Sequence, residues 1–164
     1  MNAEQKRFLE ARYSVKEWPT PRKRGQRVRL SLDCKRLQLR GWTIQREKRD
    51  DQATPRSVHL LYWRGESTDE LLALDVFECE SVKAAHDQLL EILANVESGI
   101  VERKTGKGTP GDVAFGLDET MVLFARFNVV VMARNAGPKA VPVLAVARET
   151  DAHLMQQVKS ESSR

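Results

Sequence analysis

The sequence has little of most things from which a function is read directly. Only two of its 164 residues are cysteine, Cys34 and Cys79, and only three are histidine. Two thiols cannot make the disulfide framework of a small secreted domain, and without a second Cys nearby or a His at ligand spacing they carry no metal signature. They read as buried thiols, with a single disulfide between them as the alternative. Nine Gly and six Pro exclude a collagenous or low-complexity chain. No apolar run approaches the roughly 18 residues of a membrane-spanning helix. Residues 1–10 are polar and lack the apolar core of a secretory signal, so the sequence as it stands reads as cytoplasmic, with export the alternative if a leader was removed.

What is present suffices for one globular domain with a core: 41% of the residues are apolar. The net charge of +4 conceals an uneven distribution. Residues 1–50 carry +9 and residues 51–164 carry −5, so a basic front end joins a mildly acidic body. The division expected is a helix and basic arm over 1–29, an α+β domain over 30–160 and a tail over 161–164.

Phe8, Ala11, Val15 and Trp18 recur at helical spacing, predicting a helix over 3–18 that Pro19 and Pro21 end. Arg22, Lys23, Arg24, Arg27 and Arg29 then follow within eight residues. Leu30, Leu32, Leu37 and Leu39 lead into a strand near Gly41–Arg46, and 47–56 reads as a polar loop. Residues 58–64 and 71–79, on either side of a turn at 65–69, predict a hairpin. Ser81 is the expected N-cap of a helix to about Val96, with Val82, Ala85, Leu89, Ile92, Leu93 and Val96 on its apolar face. Strands are expected at 112–115, 121–126 and 129–134, and a helix over 140–158 with Val143, Leu144, Ala147, Leu154 and Val158 inward. Strands-then-helix thus occurs twice. The predicted closure is an antiparallel sheet of five to seven strands with both amphipathic helices on one face, plus the N-terminal helix.

Motifs for chemistry are sparse. His59, His86 and His153 lack a second ligand at helix or strand spacing, and His86 and Asp87 point about 100° apart on a helix. They read as surface or partly buried side chains. No G-x-S-x-G elbow occurs, and the acid pairs Asp118/Glu119 and Asp75/Glu78/Glu80 read as solvated faces. The run Gly106–Gly111 fails as a phosphate loop, because Val101 stands where the first Gly belongs and a strand follows in place of a helix. No cofactor or metal is expected. The basic run could neutralise phosphates, an acidic protein or a membrane surface, or serve only as a solvated linker; it lacks interleaved aromatics for base stacking.

Gly111-Asp112-Val113-Ala114-Phe115, followed by Phe124-Ala125-Arg126-Phe127-Asn128-Val129-Val130-Val131, resembles a G-D-x-x-F … F-x-R-G-N-V-x-V pattern of uncharacterised bacterial proteins. The resemblance spans 111–131. It implies that Asp112 ties down the loop after Gly111, that Arg126 and Asn128 sit at a hairpin tip, and that relatives are often exported. Phe127 stands where the pattern has a turn glycine, which leaves the turn type open or makes Phe127 an exposed aromatic. No catalytic activity is implied.

The leading expectation is a non-catalytic binding or protein-interaction module, with Arg126, Phe127, Asn128, Arg134 and Asn135 as exposed partner contacts. A nucleic-acid-associated protein using Arg22, Lys23, Arg24, Arg27 and Arg29 is the alternative, and an enzyme with dispersed site residues a third. A deep pocket lined by a His or paired carboxylates would favour the last.

Overall fold

A computed structural model describes residues 1–21, 30, 31, 33, 35–64, 67–96, 100–117 and 119–162. In chain order the elements are α1 (Ala3–Arg12), a 3-10 turn (Val15–Glu17), β1 (Trp42–Asp50), β2 (Arg56–Arg64), β3 (Ser67–Glu78), α2 (Val82–Asn95), β4 (Glu102–Lys104), β5 (Val113–Leu117), β6 (Met121–Arg126), β7 (Val129–Asn135) and α3 (Val143–Ser162). The strands form one sheet in the order β1-β2-β3-β7-β6-β5-β4, antiparallel at every pairing. This is the expected α+β class, with seven strands and an N-terminal helix. Among the described residues no helix is long and apolar enough to cross a membrane.

The two long helices lie on opposite faces, not on one. Val122 and Phe124 of β6, with Val129, Val131 and Ala133 of β7, pack with Val143, Val146, Ala147 and Leu154 of α3. The alternate residues Met121, Leu123 and Ala125 of β6 and Val130 of β7 pack with Ala85, Leu89, Leu90 and Leu93 of α2. The reason is visible in β6: all five residues from Met121 to Ala125 are buried, and a strand apolar on both faces needs a layer on each. Full burial of a Leu or Phe contributes about 1.5–3 kcal/mol, so neither face of the central strands could be left wet cheaply.

Local signals explain most boundaries. Asn2 and Gln5 form a capping box on α1, Oδ1 of Asn2 accepting the Gln5 N–H at 2.8 Å and Oε1 of Gln5 accepting the Asn2 N–H at 3.1 Å. Ser81 caps α2, its Oγ accepting from the Ala84 N–H at 3.0 Å. The N-terminal helix stops at Arg12, earlier than expected, and Phe8 is exposed while Tyr13 and Trp18 are buried. Those two rings meet Phe115 of β5 with centroids 5.3 and 5.5 Å away. On α3, Leu144 is exposed and Val146 takes the inward place.

Two strands go beyond what was expected. β1 continues to Asp50, into the stretch read as a polar loop, and β4 forms over Glu102–Lys104, where no strand was expected. Both are sheet edges. Every β1 residue after Trp42 is exposed, and beyond Arg46 backbone pairing with β2 continues the strand without leaving a hydrophobic alternation to read. Among the described residues of 30–41 none is in a strand, yet Leu30, Leu37 and Leu39 are buried in the core on the α3 side.

Candidate functional site

The hairpin tip between β6 and β7 is closed by a buried ion cluster. Arg126 donates through Nε and Nη2 to the two oxygens of Asp151 on α3, both at 2.7 Å, and through Nη1 to Asp112 at 2.7 Å. The other oxygen of Asp112 accepts the Phe127 N–H at 2.7 Å. The three side chains are only 10–16% exposed. Desolvation works to lower the Arg126 pKa, but the hydrogen bond and charge of Asp151, with those of Asp112, outweigh it and hold the guanidinium above its ordinary value.

Next to it, Asn128 is a buried staple. Its Oδ1 accepts the Leu30 N–H at 2.7 Å, and its Nδ2 donates to the Leu30 and Cys79 carbonyls at 3.0 Å each. Phe127 takes φ +51 and its ring is buried. Phe127 thus occupies a left-handed position of the kind that favours glycine, and its ring packs inward among Phe124 and its neighbours.

The expected partner contacts are therefore mostly not surface. Arg126, Phe127 and Asn128 are buried and spent on the fold. Arg134 and Asn135 lie about 17 Å away along β7, Arg134 with Nε 3.3 Å from Asp75 and Asn135 accepting the Gly137 N–H at 3.1 Å. The structure does not bring the five together, because hairpin tip and strand exit are opposite ends of β7. Arg22, Lys23, Arg24, Arg27 and Arg29 lie outside the described residues. Cys79 is a free, buried thiol whose pKa burial pushes up to about 11, far from the thiolate form that reacts; Cys34 lies outside the described residues. The Gly106–Gly111 segment is tied to α3, Arg148 Nε donating to the Gly108 carbonyl at 2.6 Å.

A surface not expected from sequence lies on the α2 side of β1–β3. α2 packs across β6 and β7, while Leu61 and Trp63 of β2 and Leu71 and Phe77 of β3, on that same side, remain partly exposed. Two rows of residues cross this surface by register. One is Lys48, His59, Asp75 and Met132, and the other is Arg46, Leu61, Ala73 and Arg134. His59 Nδ1 lies 2.5 Å from Asp75 Oδ1. Lys48, Asp50, Ser57, His59, Asp75 and Phe77 line a cavity of about 350 Å³ that opens at the sheet surface.

Chemically, a carboxylate on Nδ1 orients the imidazole and favours a proton on that nitrogen. An imidazole oriented by a carboxylate is a group that acid–base chemistry can use. Ser57 shares the face but makes no hydrogen bond with His59 among the described residues, so no nucleophile–base contact is formed. The pairing was within reach of the sequence: a hairpin symmetric about residue 67 sets His59 opposite Asp75, which is the register observed. Reading the histidines one at a time for ligand spacing passed over it.

No protein-family model, curated protein or solved structure matches the chain. Its class is defined by architecture, a seven-stranded antiparallel sheet between helices in which, among the described residues, no helix covers β1–β3 on the α2 side.

Proposed function

We propose that the chain is a non-catalytic protein-interaction module that binds its partner on the open α2-side face of β1–β3. The observation that carries this is the asymmetry of the sheet. Helices cover both faces of β6 and β7, but Leu61, Trp63 and Leu71 stay partly exposed beside Lys48, Arg46 and Arg134. Partly exposed apolar side chains rimmed by cations suit a protein surface that offers apolar groups and acids. A photoreactive residue at position 63 identifies the partner in cells, and titration calorimetry with the purified pair tests the site. Leu61→Glu and Trp63→Glu are expected to weaken binding at least about tenfold, and Phe8→Glu, between α1 and α2, to leave it unchanged. Equal binding by all three overturns the reading.

An enzyme is the second reading, favoured by the His59–Asp75 contact beside the cavity. Turnover of an activated ester such as p-nitrophenyl acetate that disappears in His59→Gln would support it. Equal rates in the two chains would remove it. The nucleic-acid alternative rests on the +9 charge of residues 1–50.

A further inference from the structure

The two edges of the sheet differ: β4 has three residues, whereas β1 has nine. Among the described residues no strand pairs with the outer side of β1, and every residue from Thr43 to Asp50 is exposed. An edge of this length is a row of open N–H and C=O groups that recruits another strand unless its side chains forbid it. Beyond the irregularity between Ile44 and Arg46 the strand is regular and carries Arg46, Glu47, Lys48, Arg49 and Asp50. The signs of these five charges decide which strand fits.

A symmetric antiparallel pair of β1 strands has its two-fold axis perpendicular to the sheet, so each residue meets one of its own face and the register centres on a residue. A centre at Arg46 runs through the irregular position. A centre at Glu47 sets Glu47 against itself and Arg46 against Lys48, and one at Arg49 sets Arg49 against itself and Glu47 against Asp51. A centre at Lys48 sets Arg46 opposite Asp50 and Glu47 opposite Arg49, each twice, with Lys48 on the axis as the single like pair. Arg49 Nε already donates to Glu47 Oε1 at 2.8 Å within the strand. A second copy brings the same pair reversed, closing a ring of four alternating charges. We propose that the chain forms a two-fold dimer through its β1 edges in the register centred on Lys48. The open α2-side faces of β1–β3 in the two copies then run together. The dimer goes beyond the interaction reading above and does not depend on it.

Sedimentation equilibrium of the full chain over a range of concentrations tests this. The expected result is a monomer–dimer equilibrium that salt weakens. Glu47→Arg and Arg49→Glu each set like charges opposite one another and should raise the dimer dissociation constant at least about tenfold, while the double variant returns to within about threefold of the wild type. Lys48→Thr removes the like pair and should tighten the dimer about threefold. All three positions are exposed, so the variants keep the fold. Concentration-dependent amide protection should centre on residues 46–50. A single monomeric species at about 1 mM chain, a dimer indifferent to both single substitutions, or no recovery in the double variant overturns the proposal. A dimer broken by Trp63→Glu but not by Glu47→Arg overturns it by moving the contact to the open face. Edge amides protected only when a different protein is added overturn it in favour of a foreign strand.

Discussion

Asp112 holds the Phe127 N–H at 2.7 Å with one carboxylate oxygen while its other oxygen takes Arg126. One side chain thus fixes both the backbone of the turn and the cation that ties the turn to α3. Arg126→Ala would leave Asp112 and Asp151 buried without their shared cation. Breaking such a group from one side costs about 3–5 kcal/mol, and urea denaturation should show that loss. Arg126→Lys is expected to recover only part of it, because an ammonium cannot span both carboxylates with a planar fork.

Asn128 makes a more local prediction. Asn128→Ala removes one acceptor and two donor contacts at once, leaving the Leu30 N–H and two carbonyls to find water in a buried place. The expected cost is about 2–4 kcal/mol. Native-state hydrogen exchange separates the staple from global stability, since the Leu30 amide should lose protection beyond the global change. Asn128→Asp keeps the acceptor for Leu30 and loses the donors, so Leu30 should remain better protected than in Asn128→Ala.

Gly111 and Gly106 both have positive φ, +75 and +105, yet they should respond differently to alanine. A Cβ at Gly111 would lie 2.5 Å from the Ala125 carbonyl oxygen and 2.8 Å from Phe124 Cδ2, whereas one at Gly106 meets nothing within 4 Å. Gly111→Ala combines backbone strain with a clash against a central strand and is expected to cost on the order of 3 kcal/mol. Gly106→Ala carries the backbone cost alone, about 1 kcal/mol. Equal thermal shifts in the two variants would show that the close approach at Gly111 does not govern its identity.

These contrasts show what the sequence could and could not reveal. Helix α2 was legible because Ser81 caps it and Ala85, Leu89 and Leu93 mark one face. The position of α3 on the opposite face was legible in the unbroken apolar runs Met121–Ala125 of β6 and Val129–Val131 of β7, which leave neither face of these strands polar. The first half of β1 was read near Gly41–Arg46, but its continuation to Asp50 was hidden because an edge strand with solvated side chains records its pairing in backbone bonds alone. Arg126 and Asn128 were picked out correctly as tip residues but read as exposed. Their burial depends on Asp151 and Leu30, 25 and 98 positions away, and no local pattern reports that.

The basic arm predicts a clean salt dependence. If the chain binds DNA or RNA through Arg22, Lys23, Arg24, Arg27 and Arg29, five phosphate contacts give a slope of log K against log salt near −4.5. Replacing all five with Ala should abolish binding at about 50 mM salt, with circular dichroism of the variant checking that the body is folded. Wild-type chain that binds neither polymer at that salt removes the nucleic-acid reading. Binding that survives the five substitutions places the contact elsewhere, with Arg46, Lys48 and Arg134 next to be tested.

His86 ties the N-terminal segment to pH. Its ring packs edge-on against Trp18 with centroids 5.3 Å apart, and burial lowers its pKa from the ordinary 6.5 against smaller opposing effects of Asp112 and Asp87. The folded state therefore binds fewer protons than the unfolded chain below that ordinary value. Stability then rises with pH in this window. The contribution is fully present above pH 6.5 and is lost as pH falls through the lower folded value. His153, also lowered by burial, adds in the same direction. Denaturation followed by tryptophan fluorescence should show stability falling as pH drops below about 6.5. His86→Phe keeps an aromatic partner for Trp18 and removes the titration, so it should flatten that limb of the profile. A profile unchanged in His86→Phe assigns the acid sensitivity to His153 or to the carboxylates.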